Sequence, residues 1–337
     1  MMNNLLEQVT IKGFKSIRSL ESLKLGQLNV LIGQNGVGKS NFIQTFRLLE
    51  TLQNQSLPNY VMQQGGSDSF LYNGPKVTPK IEIELNYALK DALTLNCSKI
   101  ELMPTADERF IPSVSGLPLL TDWKVYHFHD TTGFAPMRRS EIVEDNQYLR
   151  SDAANIAPFL LRLRNHTVYK RFYDEIVSAV RLVAPFFDDF RLDIIQHGEA
   201  EKVKLSWQQR GSDFPMQPYH LSDGSIRFIC LVTALLQPNP PAMIMIDEPE
   251  LGLHPEAIAI LAELIEDATT RTQVIIATQS PVLINYFSID DIIIVNRKAE
   301  QSNFERLQEQ DFKVWLEDYS VGDLWIKNVL HGAASYE

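Results

Sequence analysis

Apolar runs stand at Leu28–Ile32, interrupted only by Asn29, and at Ala242–Ile246 and Val274–Ala277, each short enough for a strand buried on both faces of a parallel sheet. Strict alternation at Ile81, Ile83, Leu85 and Tyr87, and again around Val125 and Phe128, predicts strands of an antiparallel sheet that covers the first lobe. A spacing of about 3.6 residues links Phe42, Ile43, Phe46, Leu49 and Leu52. The same period runs from Ile156 to Leu163, from Phe172 to Val183, and through Ile226, Ile229, Cys230 and Thr233, predicting helices in each place. Pro104 to Pro118, with Pro112 and Gly116 inside it, reads as a loop. Short strands are expected at Leu192–Ile195 and Val203–Trp207. Strands alternating with helices make the chain α/β, with an antiparallel β subdomain and an inserted helical lobe. The expected division is 1–90, an N-terminal lobe; 91–200, an inserted β/helical lobe; 201–300, a C-terminal lobe; and 301–337, a closing segment anchored by Trp315, Tyr319 and Trp325.

Chemistry enters between the first apolar run and the first helix. Gly33-Gln34-Asn35-Gly36-Val37-Gly38-Lys39-Ser40 fits G-x-x-x-x-G-K-[ST] in the strand–loop–helix context that this phosphate-binding loop requires. Glycines let backbone N–H groups turn inward around phosphates, and the helix N-terminus adds a positive dipole end. Gly33, Asn35, Gly36, Gly38, Lys39, Ser40 and Asn41 are therefore the candidate nucleotide contacts, Lys39 as a point charge and Ser40 as a hydroxyl for Mg²⁺. The second apolar run ends in Asp247-Glu248. Asp247 is the expected second holder of Mg²⁺; Glu248, one residue on and pointing the other way, is the expected general base for an attacking water.

Leu221-Ser222-Asp223-Gly224 precedes the helical pattern from Ile226, so Ser222 is placed as an N-cap with Gly224 in the first turn. Standing before the Asp-Glu pair, this segment resembles the ABC signature, and the whole resembles an ABC-type ATPase head of the SMC/RecF/OLD group. Ile11-Lys12-Gly13-Phe14-Lys15-Ser16-Ile17 is similar to that group's first-strand motif, and Glu250-Leu251-Gly252-Leu253-His254-Pro255 to its D-loop. The resemblance implies a P-loop NTPase fold and Mg²⁺-dependent ATP hydrolysis. It also implies a homodimer in which Ser222 and Gly224 of one copy meet ATP held by the other. Relatives of this kind act in phage defence or DNA maintenance, which implies a separately encoded effector or nuclease, or a nucleic acid, DNA or RNA, as partner. Where many relatives carry Thr-His-Ser-Pro, this chain has Thr278-Gln279-Ser280-Pro281. Gln279 donates a hydrogen bond but has no proton to exchange near neutral pH, so slow turnover is expected. That departure favours a second reading, a low-turnover ATP-binding scaffold that holds or inhibits a partner; a transporter subunit is a third, disfavoured by Asp223 in the signature and by the Phe14-Lys15-Ser16 start. Gln63 and Gln64 are candidates for the group's Q-loop residue, and a polar loop serves equally well there.

At 337 residues, 45% hydrophobic and 22% charged, the chain is long enough for one large domain with an insertion or for two small ones. Its two cysteines, Cys97 and Cys230, suit a reducing cytoplasm, and no apolar stretch is long enough to span a membrane. A net charge of −11 argues against a wholly cationic nucleic-acid binder. Arg138, Arg139, Arg162, Arg164, Lys170 and Arg171 still form a local basic cluster, either a nucleic-acid contact or solvated helix faces paired with Asp174 and Glu175. His127 and His129 lack a convincing further metal ligand, which favours polar contacts at a strand end.

Overall fold

A computed structural model describes residues 5–88, 96–116 and 122–332. The chain forms two compact units. One comprises residues up to Val125, Pro241–Glu248 and everything from Thr269; the other comprises Tyr126–Pro240 and Pro249–Ala268.

The first unit holds a six-stranded sheet in the order Gln301–Arg306, Ile292–Lys298, Leu28–Ile32, Gln273–Thr278, Met243–Asp247, Trp123–Tyr126. The four strands from Ile292–Lys298 to Met243–Asp247 are parallel neighbours. Three of them are buried along their whole length, which is why they read as apolar runs with few polar residues. Register pairs Ile32 with Thr278 and Ala277 with Asp247, so the chain leaves these three strands at one edge of the sheet.

A second sheet is antiparallel throughout, in the order Ile17–Lys24, Leu5–Phe14, Ile81–Ala88, Asn96–Pro104, Phe110–Gly116. Its alternation is literal: Ile81, Ile83, Leu85 and Tyr87 are buried. Two expectations need correction. Pro104–Gly116 is largely the second half of a hairpin, because Phe110–Gly116 pairs as an edge strand with Asn96–Pro104, a position that tolerates proline; Leu117 and Pro118 lie outside the described residues. Val125 joins the edge of the six-stranded sheet instead of the antiparallel one, and Phe128 lies beyond that strand.

Helix Lys39–Gln53 joins the two sheets into one core. Phe42, Ile43, Phe46 and Leu49 are fully buried among Val9, Ile11, Ile83, Ile275 and Val295, each contributing roughly 2 kcal/mol by its transfer from water. The Trp123 indole stands edge-on to Phe46 with ring centres 5.5 Å apart and donates to the Phe46 carbonyl at 3.2 Å. In the C-terminal segment Phe304, Leu307, Phe312, Val321, Leu324 and Leu330 are buried, while Trp315 and Tyr319 stay 47% and 36% exposed and Trp325 is half-buried, so the expected aromatic anchors are not the side chains that the core takes in.

The second unit is built on helices Ile156–Asn165, Lys170–Val183, Asp223–Leu236 and Pro255–Thr269. Ile156, Phe159, Leu160 and Leu163 are buried, as their spacing predicts, and so are Ile176 and Val180. Short strands at Phe187–Arg191, Ile195–His197, Ala200–Val203 and Ser206–Gln209 stand a few residues from the expected positions.

Candidate functional site

Strand Leu28–Ile32 delivers the chain into the loop, and the helix restarts at Lys39 with Gly38 as its N-cap at φ 115°. A side chain at Gly38 would collide with the Ser302 hydroxyl, so glycine is required there by backbone angle and by space. Gln34, Asn35, Gly36 and Ser40 are exposed, whereas Lys39 is buried and its ammonium donates to the carbonyls of Gly33 at 2.7 Å and Gln34 at 3.0 Å. The ammonium thus folds over the rim of the loop that its charge is expected to serve.

A chain of hydroxyls fixes the far side of that loop. Ser302, 1% exposed, donates from Oγ to the Val37 carbonyl at 2.5 Å and lies 2.6 Å from Ser16 Oγ. The Ser302 amide donates to the Ser16 carbonyl at 2.8 Å, and Asn41 Nδ2 donates to Ser16 Oγ at 2.7 Å. This gives the first-strand motif a structural meaning. It is the turn between Leu5–Phe14 and Ile17–Lys24, with Lys15 at φ 47°, and it brings Ser16 against the P-loop helix. Lys15 itself donates to Gln44 at 2.6 Å above the Phe70 ring, and burial holds its ammonium below the usual pKa.

At the ends of the neighbouring strands stand Asp247, buried, Glu248, partly exposed, and Gln279. Glu248 has φ 47°, a left-handed backbone that costs a non-glycine residue about 1–3 kcal/mol. Its amide donates to the Ala277 carbonyl at 2.7 Å, and its carboxylate accepts from Gln279 Nε2 at 3.1 Å. Lys39 and Ser40, Asp247 and Glu248, and Gln279 therefore follow three adjacent parallel strands on one sheet edge. The donor set suits Mg²⁺, a hard cation that takes oxygen ligands: an exposed serine hydroxyl at Ser40 and a carboxylate at Asp247. Gly36, with open space around it, leaves room for a phosphate beside the loop.

Ser222 and Gly224 belong to the second unit. Ser222 caps helix Asp223–Leu236 by accepting from the Ser225 amide at 3.1 Å, as its sequence position predicts. Gly224 packs against the D-loop: a Cβ there would stand 2.5 Å from the Gly252 carbonyl. Two arginines organise this region. Arg227, on the signature helix and only 5% exposed, donates to the carbonyls of Phe128 at 2.9 Å, His129 at 3.1 Å and Leu251 in the D-loop. Arg138 donates to the carbonyls of Thr131, Pro218 and Leu221 and pairs with Asp223 at 3.1 Å.

Most of the basic cluster is likewise engaged within the chain. Arg139 donates to Phe134, Arg162 to Asn146 and Gln147, and Arg164 to Phe190 and Leu192, all through backbone carbonyls; Lys170 pairs with Asp174. His127 and His129 lie with ring centres 6.2 Å apart, and among the described residues no group of three or more His, Cys, Asp and Glu gathers around a metal position. Gln63 and Gln64 are exposed at the end of helix Leu57–Gln63. No helix among the described residues is long and apolar enough to cross a membrane.

Residues 28–285 match the family described as "AAA domain, putative AbiEii toxin, Type IV TA system". The chain belongs to that family. No curated protein matches the sequence. Among solved structures, the AAA-family chain is similar to an SMC head bound to the C-terminal winged-helix domain of ScpA, with a TM-score of 0.66 and 15% identity over 91% of this chain and 99% of that one. It is similar as well to the Smc head with an extended coiled coil from Pyrococcus furiosus, bound to the C-terminal domain of ScpA, with a TM-score of 0.64 and 15% identity over 94% and 99% of the two chains. The fold of this AAA-family protein is that of an SMC-like, ABC-type ATPase head.

Proposed function

We propose that the protein is an ATP-binding and ATP-hydrolysing conformational switch, two copies of which close head-to-head around ATP. The observation that carries this reading is the hydrogen bond from Gln279 to Glu248 on the sheet edge where the P-loop also opens. Lys39 exchanges its two carbonyl partners for phosphate oxygens when ATP enters. Ser40 and Asp247 would hold Mg²⁺, which when bound neutralises charge on the phosphates. Glu248 accepts a proton from the attacking water. Gln279 has two N–H groups on one nitrogen, so it can keep its bond to Glu248 and offer the second to the γ-phosphate. It thereby orients the base without needing a charge. Ser222 and Gly224 complete the site from the opposite copy, as in the ABC-type heads that the chain resembles.

Closure then controls a partner, an effector or nuclease or a nucleic acid, in phage defence or DNA maintenance; the family's description as a toxin component supports the defence side of this reading. Glutamine in place of histidine favours a second reading, a scaffold that binds ATP and holds a partner with negligible turnover. Phosphate release from Mg-ATP separates the two. The switch predicts turnover that Glu248→Gln abolishes while ATP binding persists, and that Lys39→Ala abolishes together with binding. Release at the level of the Glu248→Gln protein in the unaltered chain would leave only the scaffold.

A further inference from the structure

The second unit carries a groove of about 570 Å³ between helices Lys170–Val183 and Pro255–Thr269, closed at its base by the end of helix Asp223–Leu236. Its apolar lining is Ala179, Leu182, Leu236, Ile260 and Leu264. Its rim is acidic: Asp174, Glu175, Glu263 and Asp267. Spacing explains the arrangement. On one helix Asp174, Glu175, Ser178, Ala179 and Leu182, and on the other Ile260, Glu263, Leu264 and Asp267, fall at intervals of three and four, so each helix turns a single face to the groove. Leu182 is 68% exposed, an apolar side chain held in water beside carboxylates. Among the described residues no lysine or arginine lines the groove; Lys170 meets the rim on Asp174, at 2.7 Å.

We propose that this groove docks a cationic amphipathic helix of a partner protein. An aliphatic trough accepts anchors spaced i, i+3, i+4 and i+7, and its volume is in the range of about 300–1,000 Å³ that binding clefts occupy. Carboxylates on both banks select lysine or arginine on the flanks of the incoming helix and repel phosphate backbones, so nucleic acid is the wrong occupant. The inference does not depend on ATP turnover.

The test uses the full-length protein and three fluorescent peptides of about four helical turns: a leucine–lysine amphipathic helix, its leucine–glutamate counterpart, and a scramble of the first with equal charge but no apolar face. Anisotropy should show saturable binding of the first peptide only. Leu182→Asp, on an exposed side chain, and the pair Glu175→Lys and Glu263→Lys should each weaken it roughly tenfold or more. Reversing two carboxylates elsewhere, Glu309→Lys and Glu317→Lys, should leave it unchanged. Equal binding of the scramble, equal loss from the distant reversals, or no saturable binding would overturn the proposal. Self-association that Leu182→Asp abolishes would also overturn it, since the occupant would then be a second copy.

Discussion

Replacing Gln279 with leucine keeps the side-chain bulk and deletes the N–H that reaches Glu248. That bond, 3.1 Å long, has a charged acceptor, a class worth about 1.5–3 kcal/mol when fully expressed. Glu248 is partly exposed, so water recovers some of the loss and the lower end applies. At about 1.4 kcal/mol per decade of rate, the hydrolytic step should slow roughly tenfold. Lys39, the loop amides and Ser40 are untouched, so ATP affinity should fall by no more than the single γ-phosphate contact that Gln279 offers, about tenfold. Single-turnover phosphate release at saturating Mg-ATP measures the rate, and calorimetric titration of Glu248→Gln/Gln279→Leu measures binding without turnover. An unchanged rate in Gln279→Leu would deny the Gln279–Glu248 bond any part in hydrolysis.

Ser302→Ala should leave the Val37 carbonyl and the Ser16 hydroxyl short of a buried partner at a cost of about 1–3 kcal/mol, seen as a lower melting temperature and a roughly tenfold weaker nucleotide affinity; a stability loss with full affinity would confine the hydroxyl to holding the hairpin. Gly224→Val should abolish any ATP-driven association by pushing the signature turn off Gly252, while a fluorescent ATP analogue still binds the monomer. Cys97 titrates at about 11, raised first by burial and then by donating to Glu84 at 3.3 Å, so its alkylation rate should keep climbing well above pH 9. Glu84→Gln should move that profile to lower pH, since the thiolate no longer faces a carboxylate.

The sequence made local chemistry legible and long-range contacts invisible. Gly33–Ser40 and the Ser222 cap are short segments whose hydrogen bonds close within a few residues, so spacing alone locates them. Buried parallel strands announce themselves as apolar runs because both faces are covered. The Gln279–Glu248 bond spans 31 positions and depends on two strands lying side by side, and the Ser302–Val37 bond spans 265. Ser302 sits in a polar hairpin and gives no signal of its own. Arg138 and Arg227 share a different obscurity: their partners are mostly backbone carbonyls, which every residue carries, so a charge pattern cannot distinguish a loop-binding arginine from one that faces solvent. The hairpin at Phe110–Gly116 was hidden by its proline because the edge position of a strand is set by the rest of the sheet.

Light scattering of the Glu248→Gln protein, with and without Mg-ATP, reads closure around ATP itself. Closure requires the monomer mass without nucleotide, twice that mass with Mg-ATP, and a return to the monomer when Ser222→Arg is added. A mass that stays monomeric at saturating Mg-ATP, or a dimer indifferent to Ser222→Arg, would contradict it.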